Sequence, residues 1–222
     1  YKGANTAEHN IAIGYEAMGK ADTTGARSIA IGNQAYENVT SGSDTIAIGH
    51  HAMETSTTAN NTVAIGVYAG EAVSDGVRNV FVGHQSGKNA TSNNYCTFVG
   101  YDAGRDCTGS HNTFIGHLSG VDNPSTVGNT CVGSYTMTAG TSGDATENTC
   151  VGYAAGYNVT SGDSNTCVGN SAGKDINTGS SNLCLGRNSG RSDSPGGSFT
   201  TASNQICLGN DDITDLFCAD TS

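Results

Sequence analysis

The sequence predicts an all-β repeat fold, a parallel β-roll or β-helix of about twelve 17-residue rungs. Three observations predict it. A Gly-terminated strand motif recurs at a nearly constant period. Its residues alternate with the period of a strand. The overall composition cannot build a conventional core.

The period is the primary observation. A segment [Ile/Val/Thr/Leu]-x-[Ile/Val/Leu]-Gly, mostly preceded by Asn, Thr or Ser, recurs twelve times, with its Gly at 14, 32, 49, 66, 83, 100, 116, 133, 152, 169, 186 and 209. The spacings are 18, 17, 17, 17, 17, 16, 17, 19, 17, 17 and 23. A period held this closely implies identical units stacked on one another.

Each column of the repeat has a physical reading. The residue before Gly is β-branched or Leu, from Ile13 through Val132 to Leu208, and two positions earlier stands Ile, Val, Thr or Leu. These columns alternate about a middle residue, as in a strand of four or five residues. Gly ends the strand by taking a conformation that other residues resist. Three residues later comes a small side chain, such as Ala35, Ala69, Ser86, Ala103 or Ala172, which predicts a tight inward corner. The next column is mostly Gly (Gly70, Gly87, Gly104, Gly120, Gly156, Gly173, Gly190) but also holds Tyr36 and all three methionines, Met18, Met53 and Met137. A further Gly, as at Gly42, Gly76 or Gly162, precedes many strands in polar stretches with turn chemistry.

Composition bounds what such a stack can be. Charged residues are 13%, aromatics 6%, Gly 32 of 222, and Trp is absent, so large apolar side chains are too few for an ordinary core. A single thin coil is expected to bury little apolar surface alone. Lateral association of several chains would supply the rest, and three is the expected number. At roughly 4.8 Å per rung, twelve rungs give a rod on the order of 55–60 Å.

The formal charge is −11, which argues against nucleic acid and anionic membrane surfaces as partners. No apolar run approaches membrane-spanning length and no signal peptide is visible. The opening at Tyr1 reads as a turn entering the first rung of an excised segment.

Eight cysteines could suggest a disulfide framework, but five of them (Cys131, Cys150, Cys167, Cys184, Cys207) occupy the middle strand column, where other rungs carry Ala or Phe. They are expected as buried, reduced filler, with rung-to-rung disulfides or a thiolate metal stack as alternatives. Cys96 and Cys107 fall outside that column and Cys218 beyond the rungs. His50, His84 and His117 share the column after the strand Gly, and in a trimer could converge on an ion; the same column also holds Asn33, Val67 and Arg187, as an outward face would. No cofactor or resident metal is expected. No catalytic grouping stands out: carboxylates are scattered in turns, and no Ser-His-Asp set, phosphate loop or HExxH occurs. The four Asn-x-Ser/Thr sites, Asn38, Asn89 and Asn158 among them, are expected by chance. A Thr column (Thr97, Thr113, Thr130, Thr149, Thr166) is too short for an ice-binding ladder and lacks a partner Thr column.

The rungs Ser28-Ile29-Ala30-Ile31-Gly32-Asn33-Gln34-Ala35 and Thr62-Val63-Ala64-Ile65-Gly66-Val67-Tyr68-Ala69 resemble the head repeats of trimeric autotransporter adhesins, whose repeat is shorter. Later rungs, such as Asn112-Thr113-Phe114-Ile115-Gly116-His117-Leu118-Ser119-Gly120, are more similar to repeats of bacteriophage tail fibres and tail spikes. The end, Leu208-Gly209-Asn210-Asp211-Asp212-Ile213-Thr214-Asp215-Leu216-Phe217, resembles the segment ahead of the self-cleaving chaperone of phage fibres. That resemblance implies a repetitive shaft over residues 1–209, with an insertion near 191–203. It also implies a neck over 210–222 whose last residue, Ser222, is the processing end. It implies a homotrimer assembled in the host cytoplasm and working in the virion, attached to a host surface receptor such as a glycan. The loops that break the period, Asp122 to Thr126, Ser142 to Glu147 and Ser192 to Ser203, are the candidate contacts. A bacterial adhesin head and a trimeric polysaccharide depolymerase are the alternatives.

Overall fold

The computed structural model describes residues 8–19, 24–138 and 144–214. Twelve three-residue strands form one parallel sheet in sequence order: β1 (Ile11–Ile13), β2 (Ile29–Ile31), β3 (Ile46–Ile48), β4 (Val63–Ile65), β5 (Val80–Val82), β6 (Thr97–Val99), β7 (Thr113–Ile115), β8 (Thr130–Val132), β9 (Thr149–Val151), β10 (Thr166–Val168), β11 (Leu183–Leu185) and β12 (Ile206–Leu208). Each strand pairs only with the strands of the neighbouring rungs and like columns align, so that Ile46 faces Val63 and Cys150 faces Cys167. The chain is a β-solenoid. Its strands are shorter than the four or five residues expected, because the backbone turns immediately at the strand Gly.

The reason for that Gly is steric. In the ten rungs from Gly14 to Gly169 its φ lies between +130° and +143°. A Cβ on Gly100 would sit 2.4 Å from the carbonyl oxygen of Gly116 in the next rung. Two further corner positions in the rungs from Gly14 to Gly186 are left-handed, and many of them are held by non-glycine residues that accept the strain, as at Gln34 (φ 54°), Tyr36 (φ 51°), His51 (φ 55°) and Met53 (φ 51°). Left-handed geometry costs such residues about 1–2 kcal/mol each. Rung-to-rung hydrogen bonds offset it: the Gln34 amide donates back to Tyr15 O at 2.7 Å and the Tyr36 amide forward to Ala52 O at 2.8 Å.

The middle residue of each strand points inward and is buried from Ala30 to Cys207, and the flanking residues point out. One cluster of buried apolar residues runs from Ala17 to Cys207. A single chain therefore closes its own core, contrary to the expectation that a lone coil buries little. The packing works by compensation between columns. Where the strand carries Ala30 or Ala47, the position four after the strand Gly carries Tyr36 or Met53. Where the strand carries Phe81, Phe98 or Phe114, that position is Gly87, Gly104 or Gly120, and a Cβ there would fall within 2.6 Å of the ring. Phe98 stacks on Phe114 with centroids 5.1 Å apart and meets Phe81 at a tilt, 5.3 Å away. A third column closes the far side through Val39, Val73, Val159 and Ile176. In the longest described rung Phe199 fills that place, so the expected insertion folds part of itself into the core.

Beside the core runs a buried amide ladder. The residue preceding each strand is Asn in most of the later rungs. Asn112 Oδ1 accepts from the Asn129 amide at 2.9 Å, and the same bond repeats from Asn129 to Asn148, Asn165 and Asn182. Each Nδ2 also donates to a loop carbonyl, such as Gly162 O for Asn148 and Gly179 O for Asn165, both at 2.9 Å. These bonds tie each of these strand entries to the turn of the next rung.

Candidate functional site

The strand face turns its outer columns to solvent. Among large apolar side chains at the surface, Ile11, Ile13, Ile65, Ile115, Val132, Val168, Leu185, Ile206 and Leu208 all belong to the two flanking strand columns. Tyr15, Val67, Tyr101 and Tyr153 belong to the adjoining column after the strand Gly. Exposed apolar surface is thus concentrated on one side of the solenoid, where the 24 outward strand positions carry no charge and no Gly or Pro. Surface apolar residues normally scatter, and a contiguous patch marks a surface that meets something.

An aromatic file borders this face. His50 meets Tyr68 (centroids 5.4 Å), Tyr68 meets His84 (6.5 Å), and His84 stacks on Tyr101 at 5.0 Å. Tyr101 stacks on His117 (5.4 Å), and Tyr135 and Tyr153 continue the file. The column of His50, His84 and His117 is therefore outward and interleaved with tyrosines. Among the described residues no group of three or more His, Cys, Asp or Glu within the chain is placed to share one ion. Sequence reasoning found the histidines but not the file, because Tyr68 and Tyr135 sit one position later in their rungs.

Charge gathers next to the file. Arg105 reaches Asp106 at 2.5 Å, Asp122 at 2.7 Å and Asp102 at 3.4 Å. Burial pushes the Asp106 carboxyl up, but the hydrogen bonds from Arg105 and Asn89 outweigh it and hold the group below the usual carboxylate range. Burial raises Asp122 despite the same guanidinium. Asp102 Oδ1 and His84 Nδ1 lie 3.7 Å apart, both buried and without a hydrogen bond. Further along, Arg27 grips Asp44 with two bonds of 2.7 Å.

The thiols are internal. The seven described cysteines are free and buried, Cys96 and Cys107 among them. Hydrogen bonding with the thiol of the neighbouring rung, together with burial, raises the Cys150, Cys167 and Cys184 thiols far above their ordinary range. Burial pushes Cys107 up to about 12. These are protonated, inert side chains at neutral pH.

The loops that break the period divide. From Asp122 to Thr126 the chain turns Asn123 and Thr126 inward, leaving Ser125 exposed. Residues 142–143 lie outside the described residues, and of the remainder of that loop Ala145 is buried while Asp144 and Glu147 are exposed. From Ser192 to Ser203 the tip at Pro195 and Gly196 is exposed, anchored by Phe199 and Ser194. Ser222 and Cys218 lie outside the described residues. No protein-family model, curated protein or solved structure matches the chain.

Proposed function

We propose that this chain is a structural and adhesive segment of a bacteriophage tail fibre, a stiff rod that works as a homotrimer and carries contacts to a host surface receptor, a glycan among the candidates. The observation that supports the reading most is the repetition itself. A rod in which every rung offers the same outward columns presents many weak, equivalent contacts, and linked contacts bind far more tightly than single ones. The file from His50 to Tyr153 and the tip at Pro195 and Gly196 are the polar and aromatic surfaces available for such contacts. The sequence resemblance of the later rungs to phage fibre repeats supports fibre over bacterial adhesin.

The test is binding of the fluorescently labelled chain to a panel of bacterial cells, with and without periodate oxidation of surface glycans. Saturable binding to a subset of strains, abolished by periodate, is the expected result. Binding that survives periodate and is lost on protease treatment of the cells would move the receptor to a protein. Absence of binding to every strain, with preferential binding to matrix proteins such as collagen, would favour the bacterial adhesin. Release of reducing sugar from capsule would replace adhesion with depolymerisation.

A further inference from the structure

We infer that a one-residue slot over Gly128 is a binding subsite for the ring of a neutral sugar, with His111 as its platform and Glu147 as its acceptor. The inference rests on the glycan reading above, and it places a contact on neither the aromatic file nor the tip at Pro195.

The slot arises in the turn that leads into each strand. Five positions before the strand Gly, all twelve rungs hold a left-handed residue, with φ between +55° and +72°. Eleven of the twelve keep a side chain there, so the turn carries a ridge, and Gly128 interrupts it. Crowding does not require this Gly. A Cβ on Gly128 would meet nothing nearer than Glu147 Cγ, at 3.7 Å. The gap lies between His111 of the rung before and Glu147 of the rung after.

The groups at its border are held in place. The His111 ring lies on Tyr95, with centroids 5.0 Å apart and planes 11° from parallel. Tyr95 is held in turn by Arg78, whose Nη1 donates to Tyr95 Oη at 2.7 Å and whose guanidinium sits over the ring at 5.4 Å. One face of His111 is thus covered, while toward Gly128 its own column offers no side chain to cover the other. Beyond the gap the exposed Glu147 carboxylate accepts from Ser164 Oγ at 3.3 Å. Val127 adds an apolar flank, 41% exposed although its backbone is bridged to Thr146. Two of the loops that break the period adjoin the slot: one runs from Asp122 to Thr126 into Val127, and the other ends at Glu147.

Dimensions select a ring. Rungs about 4.8 Å apart set the His111 and Glu147 positions about 10 Å apart. A ring packed on His111 at about 3.5–4.0 Å lies level with Gly128 and within reach of Glu147. An α-helix, about 10 Å across with its side chains, is too wide for a gap one residue deep. Chemistry then selects a neutral sugar. A pyranose turns C–H groups to the His111 ring and Val127 and hydroxyls to its rim. A carboxylate is acceptor only, so Glu147 takes hydroxyl protons in charge-assisted bonds and repels a sugar carboxylate. An apolar platform with a few convergent polar groups is the usual make-up of a small-ligand site.

The test is NMR titration of the chain with millimolar methyl glycosides of galactose, glucose, mannose, N-acetylglucosamine and glucuronic acid, following the His111 ring resonance assigned by its loss in His111→Ala. Gly128→His fills the slot with a residue that the same column already holds at His9 and His111, so circular dichroism should show the fold retained. Asn61→His makes the same change elsewhere on the ridge as a control. The expected result is a saturable His111 shift with at least one neutral glycoside. Binding should weaken at least about tenfold in Gly128→His and roughly tenfold in Glu147→Gln, and stay unchanged in Asn61→His. The glucuronide should bind more weakly than the glucoside. No shift with any glycoside, equal binding by Gly128→His, or preference for the glucuronide overturns the inference. Periodate-sensitive cell binding that Gly128→His retains would remove the slot and leave the glycan reading standing. Glycoside binding at His111 beside periodate-resistant cell binding would do the reverse.

Discussion

Asn148 hangs from Asn129 by two bonds to one oxygen: its backbone amide and its Nδ2 both donate to Asn129 Oδ1, at 2.8 and 3.1 Å. Its own Oδ1 accepts the same pair from Asn165, at 2.9 and 3.0 Å. One buried side chain therefore links three rungs and, through Gly162 O, the turn between two of them.

Asn148→Ala should destabilise the solenoid strongly. The truncation leaves the Gly162 carbonyl and the Asn165 amide buried without partners, at about 1–3 kcal/mol for each unsatisfied group. A lower urea midpoint than in the parent chain is expected. Hydrogen exchange should show new opening confined to the rungs around β8 to β10, because a solenoid holds each rung only to its neighbours.

Compensation between columns predicts a rescue. Gly104→Met drives a side chain into the Phe98 ring, which already lies 2.5 Å from the position of a Cβ there. Phe98→Ala alone leaves a cavity worth about 3–5 kcal/mol. The double variant reproduces the Ala47 and Met53 pair of β3 and its corner. It should be more stable than either single variant, short of the parent only by the lost ring contacts with Phe81 and Phe114. Thermal melts of the four proteins check this, and strict additivity would contradict it.

Two Gly→Ala substitutions should differ sharply. At Gly100 a Cβ meets the Gly116 carbonyl oxygen at 2.4 Å, and its nearest neighbours are all Gly116 backbone, with no side chain to move. Gly100→Ala should separate β6 from β7 or prevent folding. Gly197 is also left-handed, at φ +78°, but nothing lies within 4 Å of its missing Cβ. Gly197→Ala should cost about 1–2 kcal/mol, the strain of a left-handed alanine. Soluble yield and melting temperature distinguish the two.

The thiol column predicts an alkaline limit. Its folded-state thiols titrate above their unfolded values, so the folded chain holds protons that the unfolded chain gives up. Stability from this source is complete below the ordinary thiol range, near pH 8.5, and falls as pH rises above it, by about 1.4 kcal/mol per pH unit for each such thiol. Cys150→Ala/Cys167→Ala should flatten that decline in urea titrations between pH 8 and 10. Alkylation of the parent chain should be slow at pH 8 without urea and fast with it.

Much of this was legible in the chain itself, because a repeat writes its geometry into sequence once per rung. The strand Gly column, the inward middle residue and the filler role of Cys131 to Cys207 follow from period and alternation alone, since each rung is an independent copy of the same constraint. What the sequence could not supply were relations across rungs and columns. The Asn residues before the strands read as turn chemistry. Only stacking shows that Asn129, Asn148 and Asn165 form a buried ladder, because the partner of each lies a full rung away. The trade of Phe98 for Tyr36 or Met53 is invisible until the strand middle and the corner are seen to face one another across the coil. The closure of the core by one chain was likewise decided by tertiary structure. Small residues and Gly at the corners bring the walls of the solenoid close enough that Ala, Cys and a few larger side chains suffice to fill it, and most of the apolar side chains left over lie on the strand face.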